Sequence, residues 1–188
     1  MTIERPSIFF KSVSELDSWL AQNFDQSGIW AIYFKKTLGK SDLHWESLVV
    51  SCLRFGWIDS VPGKVDEERT KTYISPRKPT SGWSRKNQNT VLELEAAGLM
   101  HPNGQAVLDL ARANGSWTLF DKAEDLVIPA PLEARFIANP ELVDGWERVT
   151  KAKRRQELQR YYLARTPATL EKRLEDLIRL ASASNPSS

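Results

Sequence analysis

A stretch in the middle of the chain combines positive charge with aromatic rings, the side chains that bind phosphates and stack on bases. Between Arg69 and Leu92 the sequence has no acidic residue. The stretch holds Tyr73 and Trp83 together with six basic residues: Arg69, Lys71, Arg77, Lys78, Arg85 and Lys86. This mixture is typical of a surface that binds phosphate, single-stranded nucleic acid or another anion. A solvated basic surface without a ligand gives the same pattern.

Asp59 is the carboxylate with the most distinctive surroundings, because it follows Gly56-Trp57-Ile58 at the end of a predicted strand. One interpretation is structural, with Asp59 as a turn cap or a member of an ion pair. The other is functional, with Asp59 as a polar anchor in a pocket, paired with Arg77. A hydrolase or transferase would need a second titratable group beside it, such as a spatially adjacent histidine or serine.

The predicted binding site joins Asp59 to the basic stretch. Its residues are Trp57, Asp59, Arg77, Lys78, Trp83, Ser84 and Asn87. The two basic residues supply charge, the two tryptophans form the walls, and Asp59 and Asn87 orient the ligand. Ser84 precedes a predicted helix whose backbone N–H groups add donors for an anion. The alternative for both tryptophans is a place in the hydrophobic core.

Several classes of site are not indicated. The two histidines, His44 and His101, and the single cysteine, Cys52, do not form a His-x3-His or Cys-x2-Cys pair, so no metal is expected. The Gly-x-Ser-x-Gly elbow, the Gly-x-Gly-x-x-Gly loop and the Walker pattern are absent, so no cofactor is expected either. Cys52 lies among apolar residues and is predicted to be a buried, unreactive thiol.

The overall charge limits the electrostatic argument to local patches, because the net charge of the 188 residues is only +2. A second basic run contains Lys151, Lys153, Arg154, Arg155 and Arg160. Glu147 and Glu157 lie at helical spacing from it, so a solvated helix face is the preferred interpretation. Weak nucleic-acid binding through both runs is the alternative, and steep salt dependence would distinguish it.

Hydropathy predicts a cytoplasmic protein without membrane insertion. No apolar run approaches the roughly 20 residues needed to span a bilayer. The N-terminal residues do not form a basic region followed by an apolar one, so no signal peptide is predicted.

The elements that must position the site follow from periodicity and caps. Helices are predicted from Ser12, where Glu15 completes a capping box, over His44–Arg54, where Gly56 suits a left-handed cap, over Ser84–Ala97, and from Pro102. Strands are predicted at Ile29–Lys36, Trp57–Ser60 and Arg69–Ser75, with a Pro-Gly turn at Val61–Lys64. Helices are also predicted at Pro131–Ala138, Asn139–Val149 and Lys151–Leu163, and from Thr166.

These elements predict an α+β fold, with a small mixed α/β N-terminal domain followed by an all-helical C-terminal segment. The predicted boundaries are residues 1–128 for the first domain and 129–182 for the helical segment. Residues 183–188 are predicted to be a disordered tail.

The order of several short blocks resembles the YdeI/OmpD-associated family, also called OmdA or bacteriocin-protection proteins. The blocks are Leu53-x-Phe55-Gly56-Trp57-Ile58-Asp59, Ser75-Pro76-Arg77-Lys78-Pro79, Trp83-Ser84-x-x-Asn87 and Gly98-x-Met100-x-Pro102-x-Gly104. In this order the blocks are specific for the family, although each block alone is a weak signal. The resemblance covers most of the chain. It is looser near the end, where Ala168-Thr169-Leu170 replaces the usual Glu-Thr-Arg.

The resemblance implies a bacterial α+β protein with a helical C-terminal domain and no established reaction or cofactor. It also implies protection against bacteriocins or antimicrobial peptides, which a stress response can provide indirectly. The expected function is therefore non-catalytic stress or bacteriocin protection, through binding of an anionic small molecule or a protein or peptide partner. The alternatives are a small hydrolase or transferase that uses Asp59 and a weak nucleic-acid-binding protein.

Overall fold

The computed structural model describes residues 5–183. The chain forms two compact units, one of Met1–Ser81 with Lys86–Trp117 and one of Gly82–Arg85 with Thr118–Ser188. The predicted boundary at residue 128 remains a prediction; this division by compactness lies earlier in the chain. Most of the predicted disordered tail, residues 184–188, lies outside the described residues.

The first unit is built on a four-stranded sheet within the described residues. Its strands are β1 (Ser7–Phe9), β2 (Ile29–Phe34), β3 (Trp57–Lys64) and β4 (Arg69–Pro76). The strand order is β1-β2-β4-β3, so β1 and β3 are the edges. β1 runs parallel to β2, and the other two pairs are antiparallel. The sheet and the helices that follow confirm the α+β prediction.

The helices of this unit are α1 (Val13–Gln22), α2 (Trp45–Arg54), α3 (Arg85–Ala96) and α4 (Pro102–Ala113), with a 3₁₀ turn at Lys36–Leu38. The first residue of α3, Arg85, is assigned to the second unit. Two predicted termini are confirmed by their caps. The Ser12 hydroxyl accepts a hydrogen bond from the Glu15 N–H at 3.2 Å. The Glu15 carboxylate accepts from the Lys11 N–H at 2.7 Å, and not from the Ser12 N–H as in a full capping box. Gly56 follows α2 with φ of +81°, a conformation that glycine adopts at little cost.

The core of the first unit lies on one face of the sheet, which we call the inner face. Alternate residues of β2 point to it, and the apolar stripe predicted for α2 is buried. The buried residues are Phe10, Leu16, Leu20, Ile29, Ala31, Tyr33, Leu43, Leu48, Cys52, Phe55, Trp57 and Ile74. The intervening strand residues belong to the opposite face, which we call the outer face.

One turn was predicted wrongly. Val61–Lys64 is the second half of β3, and the connection to β4 lies at residues 65–68 instead. Pro62 is tolerated because β3 is an edge strand, where a missing backbone N–H removes no ladder hydrogen bond. The register of β3 against β4 shifts between Asp59 and Pro62, as in a β-bulge.

The second unit contains the helices α5 (Asp121–Glu124), α6 (Ala130–Ala138), α7 (Glu141–Arg148), α8 (Lys151–Tyr162) and α9 (Pro167–Ala183). The four longer helices confirm the predicted ones; α5 is additional. Their core is Ala123, Leu132, Leu142, Trp146, Leu158, Leu177 and Ala181. Gly145 of α7 lies so close to the carbonyl of Ala181 that a larger residue would not fit. Within the described part of the chain, no helix is both long and apolar enough to span a membrane.

Candidate functional site

A cavity of about 640 Å³ opens in the first unit, beside the N-terminus of α2. We call it the Asp59 cavity. Its lining comes from β2 and the residues after it, the start of α2, and the inner face of β3 and β4. These residues are Tyr33, Lys35, Lys36, His44, Trp45, Glu46, Asp59, Ser60, Pro62, Thr70 and Thr72. The register shift in β3 lies between Asp59 and Pro62, so it shapes one wall of the cavity.

Asp59 is held in place by an aromatic neighbour. The indole N–H of Trp45 donates a hydrogen bond to Asp59 Oδ2 at 3.1 Å. The other carboxylate oxygen has no hydrogen-bond donor among residues 5–183, and no ion pair forms with Asp59 there. The Trp45 ring is 44% exposed, and Lys86 Nζ lies 4.6 Å from its centroid. The cavity therefore offers a fixed carboxylate next to a ring that already binds a cation.

The inner end of the cavity is a buried hydroxyl pair. The hydroxyl groups of Tyr33 and Thr72 lie 2.8 Å apart, and both side chains are almost fully buried. Burial raises the pKa of Tyr33, and the nearby charge of Asp59 adds to the increase. The phenol therefore stays protonated at neutral pH and acts as a hydrogen-bonding group.

The charged residues at the rim of the cavity, beside α2, contact one another. Lys36 Nζ lies 3.2 Å from Glu46 Oε1. A hydrogen bond from the backbone N–H of Glu46 itself, followed by that from Lys36, lowers the pKa of the Glu46 carboxyl. His44 Nδ1 lies 3.3 Å from the Ser47 N–H, which it caps, and 2.9 Å from Glu46 Oε2. One nitrogen cannot accept from the amide and donate to the carboxylate at the same time, so these two contacts are alternatives.

Two family models match the chain. Residues 8–107 match the family described as Domain of unknown function (DUF8412), which is more than half of the 188 residues. Residues 125–183 match the family described as Bacteriocin-protection, YdeI or OmpD-Associated, abbreviated OmdA. The chain belongs to the DUF8412 family and carries an OmdA segment. The OmdA match confirms the resemblance seen in the sequence and supports a role related to bacteriocin protection. Neither the curated proteins nor the solved structures contain a match.

The Asp59 cavity lies within the DUF8412 domain, and Asp59 is the one predicted site residue that lines it. Trp57 and Trp83 are each 1% exposed, so their rings offer almost no surface to a ligand. Arg77 is buried as well, and burial lowers its pKa to about 10. The site role predicted for these three residues remains a prediction.

The remaining predicted site residues are more accessible, but they belong to different units. Lys78 is exposed and Asn87 is half-buried, both in the first unit. Ser84, like Trp83, belongs to the second unit. Their predicted roles are not tested by their placement within each unit.

The basic stretch of the DUF8412 domain is acid-free in sequence but not in space. Arg69 Nη2 lies 2.6 Å from Asp66, and Arg85 Nη2 lies 2.9 Å from Asp125. In the OmdA segment Glu157 pairs with Lys153 at 2.8 Å and with Arg160 at 3.1 Å. These pairs offset part of the positive charge in each of the two basic runs.

The cavity residues missed in the sequence are mainly Trp45, Thr70 and Thr72. Trp45 shares a helical stripe with Leu48 and Val49, which predicts burial, yet it lies in the first turn of α2 and is exposed. Thr70 and Thr72 are polar residues at inward positions of β4. Polar side chains at inward strand positions indicate a pocket, but the signal becomes readable only once the register is known.

No group of three or more metal-ligating side chains occurs among the described residues. The polar groups that the Asp59 cavity offers to a ligand include a carboxylate, an indole N–H and several hydroxyls.

Proposed function

We propose that this protein contributes to bacteriocin protection by binding a cationic, peptide-like partner, with a basic side chain in the Asp59 cavity. The supporting observation is the arrangement of Asp59 and Trp45. One carboxylate oxygen is fixed by the indole N–H at 3.1 Å, and the other has no donor from residues 5–183 in a residue that lines the cavity. The binding role falls on the DUF8412 domain, because the cavity lies within residues 8–107.

At Asp59 the cavity favours a cation over an anion. The Lys36 charge is offset by Glu46 at 3.2 Å, and the Lys35 ammonium donates to the carbonyl oxygen of Glu67 at 2.7 Å. Asp59 has no counter-ion in the described residues, and its hydrogen bond comes from the neutral indole of Trp45. A half-buried carboxylate without a counter-ion gains from an incoming ammonium or guanidinium group, because a charge-assisted hydrogen bond is stronger than a neutral one.

The size and the aromatic lining favour a side chain presented by a peptide. The volume of about 640 Å³ lies within the range usual for ligand pockets. A lysine or arginine stem packs against the Trp45 ring while its charged end reaches Asp59. Ser60 and Thr70 add hydroxyl groups in the lining, which suits the backbone amides that flank such a side chain.

Catalysis is less well supported than binding by the same contacts. The group that touches Asp59 is an indole N–H, which donates a hydrogen bond but is neither an acid nor a base at neutral pH. Tyr33 lies in the same cavity, but burial raises the pKa of its phenol. Among residues 5–183, the hydrolase or transferase alternative therefore lacks a general acid or base hydrogen-bonded to Asp59.

Calorimetric titration of the purified protein with a lysine-rich peptide tests this proposal. Asp59→Asn should weaken binding about tenfold or more, since a hydrogen bond to a charged group contributes roughly 1.5–3 kcal/mol. The free energy of unfolding should remain within about 0.5 kcal/mol of that of the unmodified protein. Acetylation of the peptide's lysines should weaken binding to a similar extent.

Glu93→Gln is the matched control, because it neutralises an exposed carboxylate on α3 that does not line the cavity. It should bind the peptide as the unmodified protein does. Undiminished peptide binding by a folded Asp59→Asn variant would show that the cavity is not the site. Binding of a sugar phosphate in place of the peptide would favour the anionic partner that the basic stretch predicts.

A further inference from the structure

The outer face of the sheet carries a ladder of aromatic and basic side chains that is separate from the Asp59 cavity. On β2 the outward residues are Trp30, Ile32 and Phe34, and on β4 they are Arg69, Lys71 and Tyr73. The register places Trp30 opposite Tyr73 and Ile32 opposite Lys71. All of these side chains are half-buried, as expected when neighbours on an open sheet shade one another.

The centre of this face is an aromatic pair with a cation on each ring. The rings of Trp30 and Tyr73 meet edge to face, with centroids 5.5 Å apart. Lys71 Nζ lies 4.5 Å from the Trp30 centroid, and the guanidinium carbon of Arg5 lies 4.3 Å from the Tyr73 centroid. Neither cation has a carboxylate within ion-pair distance in the described residues.

We propose that this outer face binds single-stranded nucleic acid, with bases stacked on Trp30 and Tyr73 and phosphates held by Arg5 and Lys71. Every base has a flat π-face, so aromatic rings on a sheet bind single strands with little dependence on sequence. Free positive charges beside the rings provide the complementary charge for the phosphate backbone. A duplex keeps its bases stacked on one another and is not expected to use the rings.

In the unbound protein the two cations rest on the rings that the bases would use. Stacking of a base on an aromatic ring is stronger than an exposed cation–π contact. A base can therefore displace Lys71 from the Trp30 face and leave its ammonium free for a phosphate. Arg5 is exposed, so it can leave the Tyr73 ring in the same way and bind a phosphate.

Two features limit the site to the Trp30–Tyr73 end of the face. Asp66, Glu67 and Glu68 lie near Phe9 and Phe34 at the other end, where their charge repels phosphates. Arg69 is already paired with Asp66. At the Trp30–Tyr73 end, the Tyr73 ring packs over Gly28, where a Cβ atom would overlap the phenol.

Fluorescence anisotropy of a short, labelled oligothymidylate tests the inference. The single strand should bind at low salt, and the same sequence as a duplex should bind much more weakly. Tyr73→Leu should lower the affinity about tenfold, because it removes one stacking surface while keeping an apolar side chain. Lys71→Gln should reduce the slope of log affinity against log salt by about 0.7, the value expected for one lost phosphate contact.

The controls separate this site from general basicity and from the Asp59 cavity. Lys172→Gln removes an exposed positive charge on α9 and should leave the affinity unchanged, as should Asp59→Asn. Absence of binding at low salt, equal binding of the duplex, or unchanged binding by a folded Tyr73→Leu variant would each overturn the inference. A dimer in sedimentation that Tyr73→Leu dissociates would overturn it too, since a second copy would then cover the face.

Discussion

The two faces of the sheet are made from the same strands but are stabilised in different ways. On the inner face of β2, Ile29 is 2% exposed and Ala31 is 0% exposed. On the outer face Trp30 is half-buried and contacts Tyr73 and Lys71. Removal from water stabilises the inner face, whereas ring–ring and ring–cation contacts that remain partly wet stabilise the outer one.

The difference shows that residue type does not decide which face of a strand becomes core. The sequence of β2 is Ile-Trp-Ala-Ile-Tyr-Phe, so large apolar or aromatic residues point to both faces of the sheet. The inner-face residues of β2 belong to the core because residues of α1 and α2 pack against them. Where α2 begins, at Trp45, the inner face also carries polar residues and a cavity.

The largest expected effect is the loss of an inner-face tryptophan. Trp57→Ala removes a side chain that is 1% exposed and packs edge to face on Trp19 at 5.4 Å. It should lower the free energy of unfolding by about 3–5 kcal/mol, measured by urea denaturation. Trp57→Phe should lose much less, because the indole N–H is buried without an acceptor in the described residues. Equal losses in the two variants would argue that the ring volume is not what matters.

The same substitution on the outer face should have a smaller effect. Trp30→Ala removes a half-buried ring, its contact with Tyr73 and the cation contact with Lys71. The expected loss is about 2 kcal/mol in the same urea experiment. A loss as large as that of Trp57→Ala would mean that the outer face is part of a core, and the contrast between the faces would fail.

The smallest effect tests the polar part of the inner face. Tyr33→Phe leaves the buried Thr72 hydroxyl without its partner at 2.8 Å and should cost about 1 kcal/mol at neutral pH. The folded pKa of Tyr33 is raised above the ordinary 10.0. Above pH 10 the unfolded chain therefore loses this proton first, and the free energy of unfolding falls as pH rises.

Tyr33→Phe should make that alkaline decrease shallower, which urea titrations between neutral and alkaline pH would measure. Tyr161→Phe is a suitable control, because Tyr161 is a half-buried tyrosine of the second unit that does not line the cavity. If the free energy of unfolding fell equally steeply with alkaline pH in Tyr33→Phe and in the unmodified protein, the decrease would not come from Tyr33.

Most elements could be predicted because their signals are local. The Ser12–Glu15 cap, the apolar stripe of α2 and the left-handed Gly56 each depend on a few neighbouring residues. The extension of β3 through Val61–Lys64 could not be predicted this way. Pro62-Gly63 has the composition of a turn, and only the strand order shows that β3 is an edge where proline is allowed.

Of the residues that line the candidate site, the sequence predicted Asp59. The residues around Asp59 could not be predicted, because strand pairing and contacts between distant parts of the sequence bring them together. Trp45 reaches Asp59 across 14 positions of sequence, and Thr70 and Thr72 become cavity residues through the register of β4. The ion pairs of Arg69 and Arg85 could not be predicted for a similar reason, since their partners, Asp66 and Asp125, lie outside the acid-free stretch.

The edges of the sheet have a consequence for aggregation. A foreign strand can extend a sheet when it finds a long, regular row of unpaired backbone donors and acceptors. The β1 edge is three residues long, and the β3 edge is interrupted by Pro62 and by its shift in register. Strand addition at either of these edges is therefore disfavoured. The sheet can expose aromatic side chains on its outer face without its edges promoting the growth of fibrils.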